Sequence, residues 1–142
     1  MMEAIAAAKA GAAMGNFPVG SVVAREGTVL ARGHNEVISG NDPTAHAEIV
    51  AIRRAAAVLR NPDLSGCTLY TTLEPCPMCA AALAWARLDR VVIGALFPPR
   101  GGVHSKARIL DLMAPLVHSV EVVAEVLPTE CLSLLPPDSM RG

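Results

Sequence analysis

A three-layer α/β/α sandwich around a mixed five-stranded sheet is the fold class that this sequence predicts, and three observations lead to it. Hydrophobic residues make up 52% of the 142 residues while aromatic ones make up 3%, so Ala, Val, Leu and Ile must build the core. That length suits one domain over residues 1–142. Short β-branched runs alternate with longer helical patterns, with Gly- and Pro-containing breaks between them. After one hairpin, each strand is followed by a helix before the next strand. That order implies parallel pairing, with the helices laid on the sheet faces.

The elements follow in order. Ala4 to Met14 reads as a first helix closed by Gly15 and Asn16. "PVGSVVAREGTVLARG" holds two β-branched runs around Glu26-Gly27, which reads as a hairpin. "NDPT" breaks the chain, and Thr44 is the expected N-cap of a helix from about Ala45 to Leu59. "CTLYTTL" is a buried strand, and Pro77 suits the first position of a helix running to about Leu88. "RVVIGAL" is the fourth strand, and a helix from Ser105 to Met113 is expected after a Pro98-Pro99, Gly101-Gly102 loop. "SVEVVAEVL" is the last strand, and Thr129 is the expected cap of a short final helix. Three parallel strands beside an antiparallel partner result.

Composition narrows the function. The longest apolar run, Met78 to Ala86, is half of what a membrane span needs. No basic n-region precedes the apolar N-terminal residues, so no signal peptide is read and a cytoplasmic location is expected. There the four cysteines act as ligands, catalytic groups or packing rather than as disulfides. With 12 basic and 13 acidic residues, the chain is not built to coat long nucleic acid.

The chemistry lies in two stretches, "DPTAHAEIVAIRRAA" and "LEPCPMC". Cys76 and Cys79 are three residues apart at an expected helix start, on one side and within reach of one ion. The positive end of the helix dipole stabilises their thiolates. His46 opens another helix, and helix N-termini gather at the carboxyl edge of a parallel sheet. A His, Cys, Cys set holds Zn2+, one ion per chain, and leaves its fourth position open to water. Glu48, two residues from His46, points elsewhere on a regular helix but still reaches a cavity off the helix end. It is the candidate catalytic acid and base.

Blander readings compete. A lone C-x-x-C serves as a redox pair or as half of a structural zinc site. A redox pair needs no distant H-A-E. A structural site needs a fourth protein ligand, and His34, His104, His118, Cys67 and Cys131 form no second close pair. Cys67 and Cys131 read as small buried hydrophobes. Arg53 and Arg54 read as a solvated helix face.

His46-Ala47-Glu48 with Pro75-Cys76-Pro77-Met78-Cys79 matches the H-x-E…P-C-x-x-C pattern of zinc deaminases. From about Phe17 to Ala95 the chain resembles the cytidine deaminase-like superfamily. "NDPTAHAEI", "TLEPCPMC" and "WAR" are similar to the branch of guanine deaminases, fungal-type cytosine deaminases and tRNA adenosine deaminases. The resemblance implies a substrate-binding Asn35, and contacts to the substrate from the backbone of Ala47 and of Glu74-Pro75. It also implies a place near the pocket for Trp85, whose safer reading is core, and a homodimer packed through helices near the metal.

Hydrolytic removal of an exocyclic amine as ammonia is therefore expected; a zinc-stabilised binding module without turnover is the rival. For the substrate, a free nucleobase or base-like heterocycle of guanine, cytosine or amino-triazine type is expected. The alternative is tRNA, with adenosine converted to inosine at the anticodon wobble position. The preference rests on the net charge of −1, on a C-terminal segment whose only basic residue is Arg141, and on "LFPPRGGVHSKAR". That stretch replaces the Arg-Asp and Lys-Gly-Ala pattern usual in the tRNA enzymes. Asp111 is a candidate for the acidic residue that guanine deaminases carry in their C-terminal part.

Overall fold

The computed structural model describes residues 1–140, so Arg141 lies outside the described residues. In chain order the elements are α1 (Met2–Ala13), β1 (Gly20–Arg25), β2 (Thr28–His34), α2 (Ala47–Leu59) and β3 (Cys67–Leu73). They continue with α3 (Pro77–Trp85), β4 (Arg90–Ala95), α4 (Ile109–Leu116), β5 (Glu121–Val123) and α5 (Pro128–Leu132). The sheet order is β2-β1-β3-β4-β5. β1 is antiparallel to both β2 and β3, while β3, β4 and β5 are parallel. Hence β1 alone is reversed, and β2, β3 and β4 all end at the same edge.

The hairpin forms at Glu26-Gly27, where φ is 50° and 77°. Positive φ at both central positions is what a two-residue hairpin of the twist-compatible kind requires.

Two glycines set the layers. A Cβ on Gly20 would lie 2.4 Å from the Ala8 nitrogen in α1, and one on Gly33 would lie 2.7 Å from the Ala51 nitrogen in α2. Gly33 pairs with Ser21 rather than with Gly20, so the two glycines face opposite sides of the sheet. Both helices lie on the sheet closer than any side chain allows. The main core fills the α2 and α3 side, with Leu64, Leu69, Leu83, Leu88, Val91 and Ile93 each 0% exposed. A smaller cluster, including Ile5, Leu73, Ala95 and Cys131, fills the α1 and α5 side.

Five boundaries in particular differ from expectation. Thr44 does not cap α2: its N–H and hydroxyl both donate to the Asp42 carboxylate, at 2.8 and 2.7 Å, and His46 takes the cap position. α3 stops at Trp85, with Ala86 as its C-cap, because the chain turns inward there and the Leu64 N–H takes the Ala86 carbonyl. α4 begins at Ile109 rather than Ser105, because Glu74 engages the N–H groups of residues 103–105. β5 ends at Val123, since Glu125 and Leu127 take left-handed φ of 62° and 60°. α5 begins at Pro128, with Leu127 rather than Thr129 at its cap.

Candidate active site

Each metal-ligand candidate is held by a helix start. Pro75 and Pro77 restrict the residues before them to extended backbone. Cys76 accordingly has φ −68° and ψ 170° as the N-cap of α3, Pro77 takes the first helical position, and Cys79 falls in the first turn. His46 occupies the matching position on α2, with φ −67° and ψ 156°. Because His46 stands outside the helix proper, the helical rule that sends i and i+2 apart does not apply to it and Glu48.

The His46 Nδ1 atom is 3.6 Å from the Cys76 sulfur and 3.6 Å from the Cys79 sulfur. All three ligand atoms lie within 4.8 Å of one another. Tetrahedral zinc with ordinary Zn–S and Zn–N bonds separates nitrogen from sulfur by about 3.5 Å, so the trio fits that ion.

Electrostatics agree. A hydrogen bond from the Cys79 thiol, helped by His46, pulls the Cys76 thiol down to about 4, so Cys76 is a thiolate. Cys79 is pushed far up, first by its bond to Cys76 and then by burial. The metal-free pair therefore shares one proton between its sulfurs. His46 is raised chiefly by its bond to Cys76. The Glu48 carboxyl is 4% exposed, and burial pushes it up to about 7.

Beside these groups is a cleft of about 300 Å³. Asn35, His46, Ala47, Glu48, Glu74 and Cys76 all line it, joined by Phe17, Phe97 and Arg100. Asn35 is buried, and its Oδ1 accepts the Val37 N–H at 3.1 Å. Pro75 is fully buried behind the cleft. Trp85 is not brought there: it is 68% exposed and does not line the cleft. Asp111 pairs with Arg108 at 2.6 Å on the surface.

Glu74 has a role that the sequence reading missed. Its buried carboxylate accepts N–H bonds from Phe97 at 2.8 Å, Val103 at 3.2 Å, His104 at 2.7 Å and Ser105 at 2.9 Å, and a bond from the Ser105 hydroxyl. Burial acts to raise this carboxyl, but the donors outweigh it and hold it below the usual range. The adjacent Gly101-Gly102 was the available signal, because paired glycines mark close backbone approach. Phe17 carried no comparable mark, and Arg100 stood out only as one basic residue among several.

The chain matches the family described as the cytidine and deoxycytidylate deaminase zinc-binding region over residues 1–95. It belongs to that family. It is a zinc-dependent hydrolytic deaminase, and its His46, Cys76 and Cys79 are positioned to bind the metal. A tRNA-specific adenosine deaminase of Bacillus subtilis is 42% identical over 135 residues, covering 95% of this chain and 83% of that protein. A guanine deaminase of the same organism is 50% identical over 78 residues, covering 55% of this chain and 50% of that protein. A solved structure from work on A-to-I editing by tRNA:A34 deaminases at the wobble position of transfer RNA superposes with a TM-score of 0.91 at 38% identity. It covers 95% of this chain and 97% of the other.

These findings overturn the expectation of a free nucleobase substrate with tRNA disfavoured. The likeness to the tRNA enzymes runs through almost the whole chain, including the segment after β4 whose departure from their pattern had counted against them. Net charge was the misleading observation, because it sums the whole surface. Arg32, Arg53, Arg54, Arg87, Arg90 and Arg108 each pair with an acidic residue, whereas Arg100, at the cleft, forms no ion pair among the described residues. A local cation is what an RNA loop needs.

Proposed function

We propose that this chain deaminates adenosine to inosine at the wobble position of a tRNA anticodon, as one deaminase domain over residues 1–142. The observation that carries this reading is the extent of the likeness to tRNA adenosine deaminases, 95% of the chain at 42% identity. The guanine deaminase likeness covers 55%.

Zinc, when bound by His46, Cys76 and Cys79, supplies the Lewis acidity that makes water nucleophilic at neutral pH. Glu48 takes one proton from the attacking water and gives it to the ring nitrogen beside C6 of adenine. It then moves the second proton to the exocyclic amine, which leaves as ammonia while the oxygen remains on C6. In the metal-free protein burial raises this carboxyl to about 7, the range of a group that both gives and takes protons near neutrality. Asn35 and the backbone of Ala47 and Glu74, all at the cleft, orient the base. An adenine must leave the stacked loop to enter the cleft, and single-stranded anticodon bases do so at low cost.

The proposal extends to a homodimer and to the cytoplasm. Exposed apolar side chains on two adjacent helices, Met78 and Trp85 on α3 and Leu112 and Leu116 on α4, support the first. Four free cysteines suit a reducing compartment, and among the described residues no helix is long and apolar enough to cross a membrane.

An inosine assay on an anticodon stem-loop, run beside an ammonia-release panel of free guanine, cytosine and adenine, tests the substrate. Inosine formed in the stem-loop supports it; turnover confined to the free bases overturns it.

A further inference from the structure

Glu74 stands two residues from a metal ligand, yet its carboxylate faces away from proton chemistry and into the 97–105 segment. The donors it collects come from both ends of that segment, Phe97 on one side and Val103, His104 and Ser105 on the other. The segment thus curls around one buried anion, each amide adding a charge-assisted bond. Gly101 passes over the carboxylate so closely that any Cβ there would collide with it. Gly102 lies against the metal turn itself: its N–H donates to the Pro75 carbonyl at 2.8 Å, and a Cβ would come within 2.6 Å of the Pro77 nitrogen. The two residues of this segment that line the cleft, Phe97 and Arg100, are therefore fixed relative to Cys76 through Glu74.

We propose that Glu74 is a positioning residue for substrate affinity, holding the 97–105 segment so that Phe97 and Arg100 form a preset wall of the cleft. Resting on the tRNA reading above, the wall recognises the nucleotide around the reacting adenine: Phe97 offers a face for a base and Arg100 a guanidinium for a phosphate. A wall set in advance spares the ordering cost of binding, so its loss weakens binding more than it slows the chemical step.

Glu74→Gln tests this, since it keeps the size but turns an amide NH2 toward N–H donors. On the stem-loop, KM is expected to rise about tenfold, one charge-assisted contact's worth, with kcat changed far less and about one zinc retained per chain. Arg100→Ala is expected to raise KM comparably, and the double variant to be no worse than the weaker-binding single, because a misplaced arginine has little left to lose. A fall in kcat at constant KM, a loss of zinc, or single effects that multiply would each overturn the proposal. Should Glu74→Gln fail to fold, Ser105→Ala removes one donor, and a smaller KM rise in the same direction is expected; no rise would count against the proposal. If the wild-type protein leaves stem-loop adenosine untouched, the substrate reading fails on its own. Amide exchange on the same proteins then decides the positioning role. The Val103, His104 and Ser105 amides are expected to exchange at least about tenfold faster in Glu74→Gln, and equal rates would overturn it.

Discussion

The His46 ring nitrogen lies 3.6 Å from the Cys76 sulfur, although thirty residues and a whole strand separate them in sequence. The contact forms because both residues are N-caps of helices that start at one sheet edge. Metal uptake there must be linked to protons. Cys76, at about 4, has already lost its proton at neutral pH, whereas Cys79 is held up as the thiol. Zinc binding should therefore displace the proton shared by the cysteines. Because His46 is raised by its bond to Cys76, the imidazolium proton should leave as well at the acid end. Affinity should rise at least about tenfold per pH unit, and more steeply toward low pH. Competition with a chelator between about pH 6 and pH 8 measures the slope. A slope near zero would refute a proton shared by the two cysteines.

Gly33→Ala provides a test remote from the chemistry. Its methyl group would press on the backbone of α2, the helix that carries Glu48 and follows His46. Backbone cannot yield as a flexible side chain can, so about 1–3 kcal/mol of stability should be lost. Turnover should fall as well, because the site helix is displaced. Chemical denaturation and the inosine assay read the two effects; an unchanged midpoint would mean that the sheet and α2 separate freely.

Much of this was legible in the sequence, and the failures have physical causes. The spacing of Cys76 and Cys79, the flanking prolines, and His46 with Glu48 are local signals, and local signals survive folding. The Glu26-Gly27 turn is of the same kind. Thr44 was misread because Asp42 competes for its N–H and hydroxyl, and propensity alone does not rank two caps. The start of α4 was misread because Glu74, some thirty residues earlier, takes the amides that a helix would have used. The substrate was misread because total charge does not report which arginines are already paired.

Trp85 is 68% exposed, a poor solution for the one tryptophan unless something covers it. With a partner copy seated on α3 and α4, Trp85→Glu should place a charge in an apolar contact. Sedimentation at micromolar concentration should then show a monomer that still binds about one zinc, against a dimer for the unaltered chain. Two monomers would remove the dimer.

Glu48 offers the sharpest separation of structure from mechanism. Glu48→Gln keeps the shape of the side chain and leaves all three metal ligands intact, so about one zinc per chain should remain. Turnover should fall by about 10²–10⁴-fold, the range for losing a positioned acid and base. A second consequence concerns the metal-free protein. Burial raises the carboxyl from 4.5 to about 7 in the folded state. A raised folded value means that the stabilising contribution is present in full below 4.5 and is lost as pH rises through about 7. Between those limits, wild-type protein should lose on the order of 3 kcal/mol relative to Glu48→Gln, which carries no charge to bury. Denaturant midpoints of the two metal-free proteins, compared at about pH 5 and pH 8, check this. A gap that stays constant would show that burial does not set the acidity of Glu48, and the proton shuttle would then need another explanation for its neutral poise.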